Sequence, residues 1–170
     1  MRLAIIGTSG AGKTTLGREI SRRLGATFIE VDAIHNKANW IEATDEELRK
    51  GIETAIDGRN SWVIDEVCYR QLGTFVSDRV DAILWLDLPL SLKTWRLCLR
   101  SWRSIRTREP LWNGNIETWR SALPLILELP RIHFAHRRAF PARPYASKIV
   151  RLRTRKEVTS WLESFGGSQQ

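Results

Sequence analysis

Apolar positions in this chain fall into short runs separated by stretches of helical period. Leu3-Ala4-Ile5-Ile6 is a compact apolar run after Arg2; it is long enough for a buried strand and too short for a buried helix. Leu16, Ile20 and Leu24 then recur at i, i+4 and i+8, so residues 15–24 are expected to form a helix with one apolar face, stopped at Gly25. The alternation repeats downstream. Residues 26–31 read as a second strand ending at Asp32, and residues 33–40 as a polar loop ending at Trp40. Thr44 followed by Glu47 is a capping box that opens a helix with Leu48, Ile52, Ala55 and Ile56 on its apolar face. Trp62-Val63-Ile64 is a third strand ending at Asp65, and residues 80–86 a fourth ending at Asp87, with a less regular stretch between them.

Pro89 stops the fourth strand. A helix is expected from about Ser91, with Leu92, Trp95, Leu99 and Trp102 as its buried stripe and Lys93, Arg96, Arg100, Arg103 and Arg106 on the remaining face. Residues 108–115 are turn-rich. Helical residues run from about Ile116 to His136, where Pro124 and Pro130 are expected to kink or break the helix. Lys148-Ile149-Val150 is a short fifth strand, Thr154 caps a last helix through Val158, Trp161 and Leu162, and residues 166–170 read as a frayed, disordered tail. Strands alternating with helices imply a parallel sheet covered on both faces, a three-layer α/β/α domain over residues 1–165. Ligands of such sheets gather at the carboxyl ends of the strands, and Gly7, Asp32, Asp65 and Asp87 all fall there.

Candidate chemistry concentrates in Gly7-Thr8-Ser9-Gly10-Ala11-Gly12-Lys13-Thr14, which fits G-x-x-x-x-G-K-[ST] between a strand and a helix start. Glycines leave room for a phosphate against bare backbone, and successive N–H groups form an anion nest reinforced by the helix N-terminus. Gly7, Ser9, Gly10, Ala11, Gly12, Lys13, Thr14 and Thr15 are therefore the expected phosphate-binding positions, with Lys13 on the β- and γ-phosphates and the Thr14 hydroxyl on Mg²⁺.

Composition changes the picture in two ways. The chain has 170 residues, 42% hydrophobic and 27% charged, which suits one globular domain, and no apolar run approaches a membrane span. Met1-Arg2 leads straight into the first strand rather than a signal peptide, and Cys68 and Cys98 lack any C-x-x-C pattern, so a cytoplasmic protein with reduced thiols is expected. Charge is uneven. Residues 1–90 hold 11 Lys/Arg against 14 Asp/Glu, whereas residues 91–170 hold 16 against 5. The basic half invites a polyanion, either a nucleoside triphosphate gripped by arginines or a nucleic acid.

Beyond the phosphate loop, Leu86-Asp87-Leu88-Pro89 with Arg96 and Arg100 nine and thirteen residues past Asp87 resembles the adenylate-kinase-like P-loop kinases over nearly the full chain. Val31-Asp32-Ala33-Ile34-His35, Trp40, Trp62-Val63-Ile64-Asp65 and the Arg153–Val158 ending are most similar to kinase-like proteins named for DNA topology modulation. More loosely, Asp32, His35 and Asn39 resemble the substrate loop of gluconate kinases. The resemblance implies a five-stranded sheet in the order 2-3-1-4-5 and a helical lid over about residues 101–120. It also implies nucleotide contacts from Arg96, Arg100 and Arg153. Glu66-Val67 stands where the topology-modulation group has Gly-Asn; its carboxylate would repel a phosphorylated acceptor. No guanine-binding signature occurs, since Asn36-Lys37-Ala38-Asn39 lacks the required Asp.

The resulting expectation is a kinase that moves the γ-phosphoryl group of Mg-ATP to a small acceptor: a nucleotide, a nucleoside or a sugar-like hydroxyl. Lys13, Arg100 and Asp32 would be catalytic, with Asp32 as general base, or else holding Mg²⁺ waters or capping a helix. Thr14 and Asp65 would hold Mg²⁺, Asp65 alternatively being a strand-end cap. Asp87 is expected to prop the following loop and helix. Arg103, Arg106 and Arg108 would belong to the lid or to a solvated face, and Arg131, Arg137, Arg138 and Arg143 would be further contacts or surface charge. The competing expectations are a nucleotide-dependent, DNA-associated regulator and a P-loop protein that binds nucleotide without turnover. Tryptophans at 40, 95, 102, 119 and 161 are expected mostly in the core.

Overall fold

The computed structural model describes residues 1–164; the expected tail at 166–170 and the end of the expected domain at 165 lie outside them. Five strands form one parallel sheet: β1 (Arg2–Ile6), β2 (Thr27–Ile29), β3 (Trp62–Ile64), β4 (Ala82–Leu86) and β5 (Ile149–Leu152), in the order β2-β3-β1-β4-β5. This is the expected order. β1 lies at the centre, where Leu3, Ala4, Ile5 and Ile6 have no exposed surface. Alternate residues supply the two cores. Leu3 and Ile5 face a cluster that takes Leu16 and Ile20 from α1 (Lys13–Leu24) and the partly buried Val158, Trp161 and Leu162 from α7 (Arg155–Ser164). Ala4 and Ile6 face a cluster that takes Leu48 and Ile52 from α3 (Asp45–Ile56), with Phe75, Phe140 and Tyr145. The period-2 alternation of the central strand thus sets the three layers.

The ends of α3 and α7 follow local rules. Thr44 accepts from the Glu47 N–H at 3.2 Å while Glu47 Oε2 accepts from the Thr44 N–H at 2.8 Å, closing the capping box, a motif worth about 1 kcal/mol. Thr154 accepts from the Glu157 N–H at 3.1 Å at the start of α7.

Four expectations are corrected. Residues 31–35 are a short helix, α2 (Val31–His35), rather than strand end and loop, and a 3-10 turn spans Ala38–Trp40. A second short helix, α4 (Tyr69–Leu72), occupies the irregular stretch before β4. Next, α5 (Leu90–Thr107) buries Lys93, Leu97 and Ser101, while Trp95, Leu99 and Trp102 are exposed. Lys93 and Ser101 turn inward beside Leu97 because partners meet them there, while Arg100, Arg103 and Arg106 stay exposed: Lys93 Nζ lies 2.7 Å from His133 Nδ1, and Ser101 Oγ donates to Glu117 Oε1 at 2.8 Å. Finally, α6 (Trp119–Ala139) runs unbroken through Pro124 and Pro130. Both prolines are exposed, whereas Ala122, Leu129 and His133 are buried. The carbonyl that each proline leaves unpaired can meet water, and packing on the other face holds the helix together. Trp119 is exposed as well, at 52%.

Candidate active site

The chain between β1 and α1 forms the phosphate loop. Gly10 and Gly12 have φ of 75° and 97°, a region in which side chains are strained. A Cβ on Gly10 would also stand 2.3 Å from the Lys93 carbonyl oxygen, so α5 packs directly on the loop. Gly12 caps α1 in the left-handed conformation, with no side-chain cap and no acidic residue in the first turn. The first N–H groups of α1 are therefore free for an anion. Lys13 Nζ donates to Gly7 O at 2.9 Å within the loop. The Thr8 hydroxyl oxygen is buried without a hydrogen-bond partner among the described residues.

Asp65, at the end of β3, is 3% exposed. Its Oδ1 accepts from the Val31 N–H at 2.8 Å, and its Oδ2 from the Thr14 hydroxyl at 3.4 Å. Burial pushes its pKa up, opposed by the Val31 N–H and by Lys13. A hydroxyl and a carboxylate oxygen set side by side at a phosphate loop suit Mg²⁺, which takes one or two protein oxygens with phosphate and water completing its shell. Among the described residues no cluster of three or more His, Cys, Asp or Glu could hold a metal, so an all-protein cage is not offered there.

Arg96 Nη1 reaches over the loop to Ala11 O at 3.5 Å and lies 3.7 Å from where a Cβ of Gly12 would stand. Arg100 lies one turn along α5, exposed, and makes no hydrogen bond or ion pair among the described residues. Arg153 is also exposed, with its backbone N–H bonded to Glu157 Oε2 at 2.8 Å. The structure thus brings Lys13, Thr14, Asp65 and Arg96 together and leaves Arg100 and Arg153 pointing to solvent. Ser9, Ala11 and Thr15 lie on the loop and the first turn of α1.

Asp87 is buried and holds a structural cluster. Arg137 Nε is 3.1 and 3.0 Å from its two carboxylate oxygens, and Arg151 Nε is 3.0 Å from Oδ2. This joins β4 to α6 and β5, so Arg137 works in the framework. Burial lowers the Lys93 pKa to about 8, only partly opposed by Asp87.

A cavity of about 650 Å³ lies within electrostatic reach of Lys13, whose charge acts on Glu66 and His136 in its walls. Asp32, His35, Glu66, Arg131, His136, Arg143 and Tyr145 are among its walls. Asp32 sits exposed in the first turn of α2. Burial raises the Glu66 pKa, opposed by Lys13. Desolvation lowers His136 to about 4, so its ring is neutral at pH 7. Buried polar atoms without a hydrogen-bond partner among the described residues gather in this wall: His35 Nδ1, His136 Nδ1, Arg143 Nε and the Tyr145 hydroxyl. Such atoms cost free energy unless a ligand or water meets them. Along the sequence His136 lacks zinc-ligand spacing and reads as a non-ligand, and nothing marks Tyr145; only the fold brings both to the cavity that Asp32 lines.

Comparison with known proteins bears on the fold that carries these residues. The model of the ATPase family associated with various cellular activities matches residues 3–68, the stretch from β1 to just past Asp65. A probable gluconokinase from Dictyostelium discoideum is 38% identical over 61 residues, 36% of this chain and 28% of that protein. A gluconokinase from Arabidopsis thaliana is 33% identical over 61 residues, 36% of this chain and 30% of that protein. The chain thus spans less than a third of these relatives' length. Neither relative carries the topology-modulation name. The crystal structure of a shikimate kinase from Bacteroides thetaiotaomicron superposes with a TM-score of 0.54 at 19% identity, covering 96% of this chain and 95% of that one. Sheet order, phosphate loop and structural likeness together give this chain the α/β P-loop NTPase fold.

Proposed function

We propose that this chain is a Mg-ATP-dependent kinase that phosphorylates a hydroxyl of a small, unphosphorylated polyhydroxy carboxylate of the gluconate class. One observation carries the reading. A single cavity has among its lining a carboxylate, Asp32, and two arginines, Arg131 and Arg143. Asp32 would accept the proton of the attacking hydroxyl, and the arginines would hold the acceptor's carboxylate, a pairing that guanidinium geometry favours. Glu66 lines the same cavity, where its side chain would take up room that a phosphorylated acceptor needs. The names of the relatives point to the same substrate class.

Lys13 and Arg96 would neutralise charge on the transferring phosphoryl group, the main task of protein groups in this chemistry. Mg²⁺ held by Thr14 and Asp65 would add charge neutralisation at the β- and γ-phosphates. Residues 101–120, carrying Arg103, Arg106 and Arg108, would act as the lid that excludes water, with Arg100 joining the site on closure. The likeness of Leu86-Asp87-Leu88-Pro89, Arg96 and Arg100 to adenylate-kinase-like enzymes supports that assignment.

The test is ADP release from Mg-ATP with gluconate, shikimate, nucleosides and nucleoside monophosphates as acceptors. Stimulation by a sugar acid and none by the monophosphates is expected. No stimulation by any sugar acid overturns the reading.

A further inference from the structure

The segment following α5 and the segment around the end of α2 are joined by bonds that span 75 to 80 residues of sequence. Asn113 Nδ2 donates to Asn36 O at 2.6 Å and to Ala33 O at 3.0 Å. Asn115 uses both ends of its amide: Nδ2 donates to Lys37 O at 2.9 Å, and Oδ1 accepts from the Trp40 N–H at 2.9 Å. The Trp40 indole N–H donates to Ile116 O at 3.3 Å. Asn115 is 3% exposed, so its amide is sealed from water by these contacts.

Apart from Ile34, which packs against the core beside Gly51 of α3, residues 33–40 bury little that would hold them in place. Within α2 only Val31 is buried, and none of Ala38, Asn39 and Trp40 is. Asn39 and Trp40 both have positive φ, at 62° and 57°, a conformation that costs free energy for a bulky residue and persists only when its surroundings enforce it. The other polar fastenings are the Lys37–Glu47 ion pair, the His35–Glu42 contact and the backbone bonds around Glu42 and the buried Ala43. Asp32 and His35, on the cavity wall, sit at the root of this segment.

We infer that Asn113 and Asn115 are positioning residues that fasten the arginine-bearing segment to the acceptor-side segment, so that residues 33–40 and 108–118 open and close as one body. The inference rests on the proposed acceptor role of the cavity for its kinetic meaning but not for its physical content. Nucleotide binding, which uses the phosphate loop and Arg96, is separate from the stitch. Loosening the stitch therefore raises the KM for the acceptor and increases ATP hydrolysis by water, while nucleotide affinity stays as it was.

Asn113→Asp is the direct test. Asp keeps the shape and tolerates the φ of 55° at this position, but sets a carboxylate against two carbonyl oxygens. Asn113→Gly keeps the backbone freedom and simply deletes both bonds, which guards against a variant that fails for reasons of charge. Hydrogen exchange is followed over residues 33–43 and 108–118, together with calorimetric titration of a non-hydrolysable Mg-ATP analogue and ADP release with gluconate. In both variants the amides of residues 33–43 should exchange about tenfold faster, the loss of roughly one net hydrogen bond, and those of 108–118 should quicken with them. The analogue's Kd should stay within about twofold. Unchanged exchange over 33–43 in both variants, or quickening in 108–118 alone, overturns the inference. Faster exchange in both segments with no gluconate-stimulated turnover in the wild-type protein leaves the stitch standing and removes the substrate reading instead.

Discussion

Thr14 and Asp65 meet across the sheet edge: the hydroxyl of the first turn of α1 lies 3.4 Å from Oδ2 of the carboxylate that ends β3. The same carboxylate accepts the Val31 N–H through Oδ1. Asp65 thus ties phosphate loop, β3 and the start of α2 into one corner. Asp65→Asn separates charge from shape at that corner. An amide oxygen still accepts the Val31 bond, but the oxygen that would face Mg²⁺ in the proposed mechanism loses its charge. The Mg²⁺ concentration needed for tight nucleotide binding should rise about 10- to 100-fold. Because burial disfavours the charged carboxylate, the melting temperature without nucleotide should stay level or rise. Magnesium titrations of analogue binding, paired with melting curves, check both halves; a lower melting temperature contradicts the desolvation argument.

Lys13→Ala should leave the fold intact, since Lys13 Nζ bonds only Gly7 O within the loop and such a bond contributes about 1 kcal/mol. Turnover should fall by roughly 10²- to 10³-fold, the range seen when one preorganised charge-stabilising donor is removed. Calorimetry with Mg-ATP, alongside circular dichroism, separates lost chemistry from lost structure.

Arg96 and Arg100 should behave differently despite their shared helix. Arg96 already lies over the loop at Ala11 O, so Arg96→Ala should weaken nucleotide binding about tenfold in direct titration. Arg100 is exposed, so Arg100→Ala should leave nucleotide Kd unchanged and lower kcat only. Equal losses of affinity in the two variants would show that the helix, rather than Arg96 itself, sets the contact.

Lys93 makes stability depend on pH in the alkaline range. Its folded pKa of about 8 lies below the ordinary 10.5 because of burial. Between those values the unfolded chain holds a proton that the folded chain has released. Stability from this group therefore grows as pH rises from about 8 and is lost as pH falls back through it. Wild type should gain roughly 2 kcal/mol over Lys93→Met between pH 8 and pH 10. Urea unfolding of both proteins at the two pH values gives the difference, in which the other titrating groups cancel. A difference that does not change with pH removes the linkage.

Much of this protein is legible along the chain because its signals are short-ranged. The apolar run Leu3–Ile6, the Thr44–Glu47 cap, the three-residue strand Trp62–Ile64 and the Gly7–Thr14 loop each express constraints among residues within one or two turns, and each stands where those constraints put it. Even the meeting of Thr14 with Asp65 follows from strand ends sharing one edge of a parallel sheet. Tertiary structure decided matters that depend on partners far away. On α5, side-chain period favoured burying Trp95, Leu99 and Trp102, yet Lys93 and Ser101 went inside because His133 and Glu117 bond them there. On α6, Pro124 and Pro130 are helix breakers by local rule, but their exposed placement and the buried opposite face let the helix run on. The stitch from Asn113 and Asn115 to residues 33–40 has no periodicity at all. A polar side chain is buried only when some distant group satisfies it, and no pattern read along one segment contains that distant group.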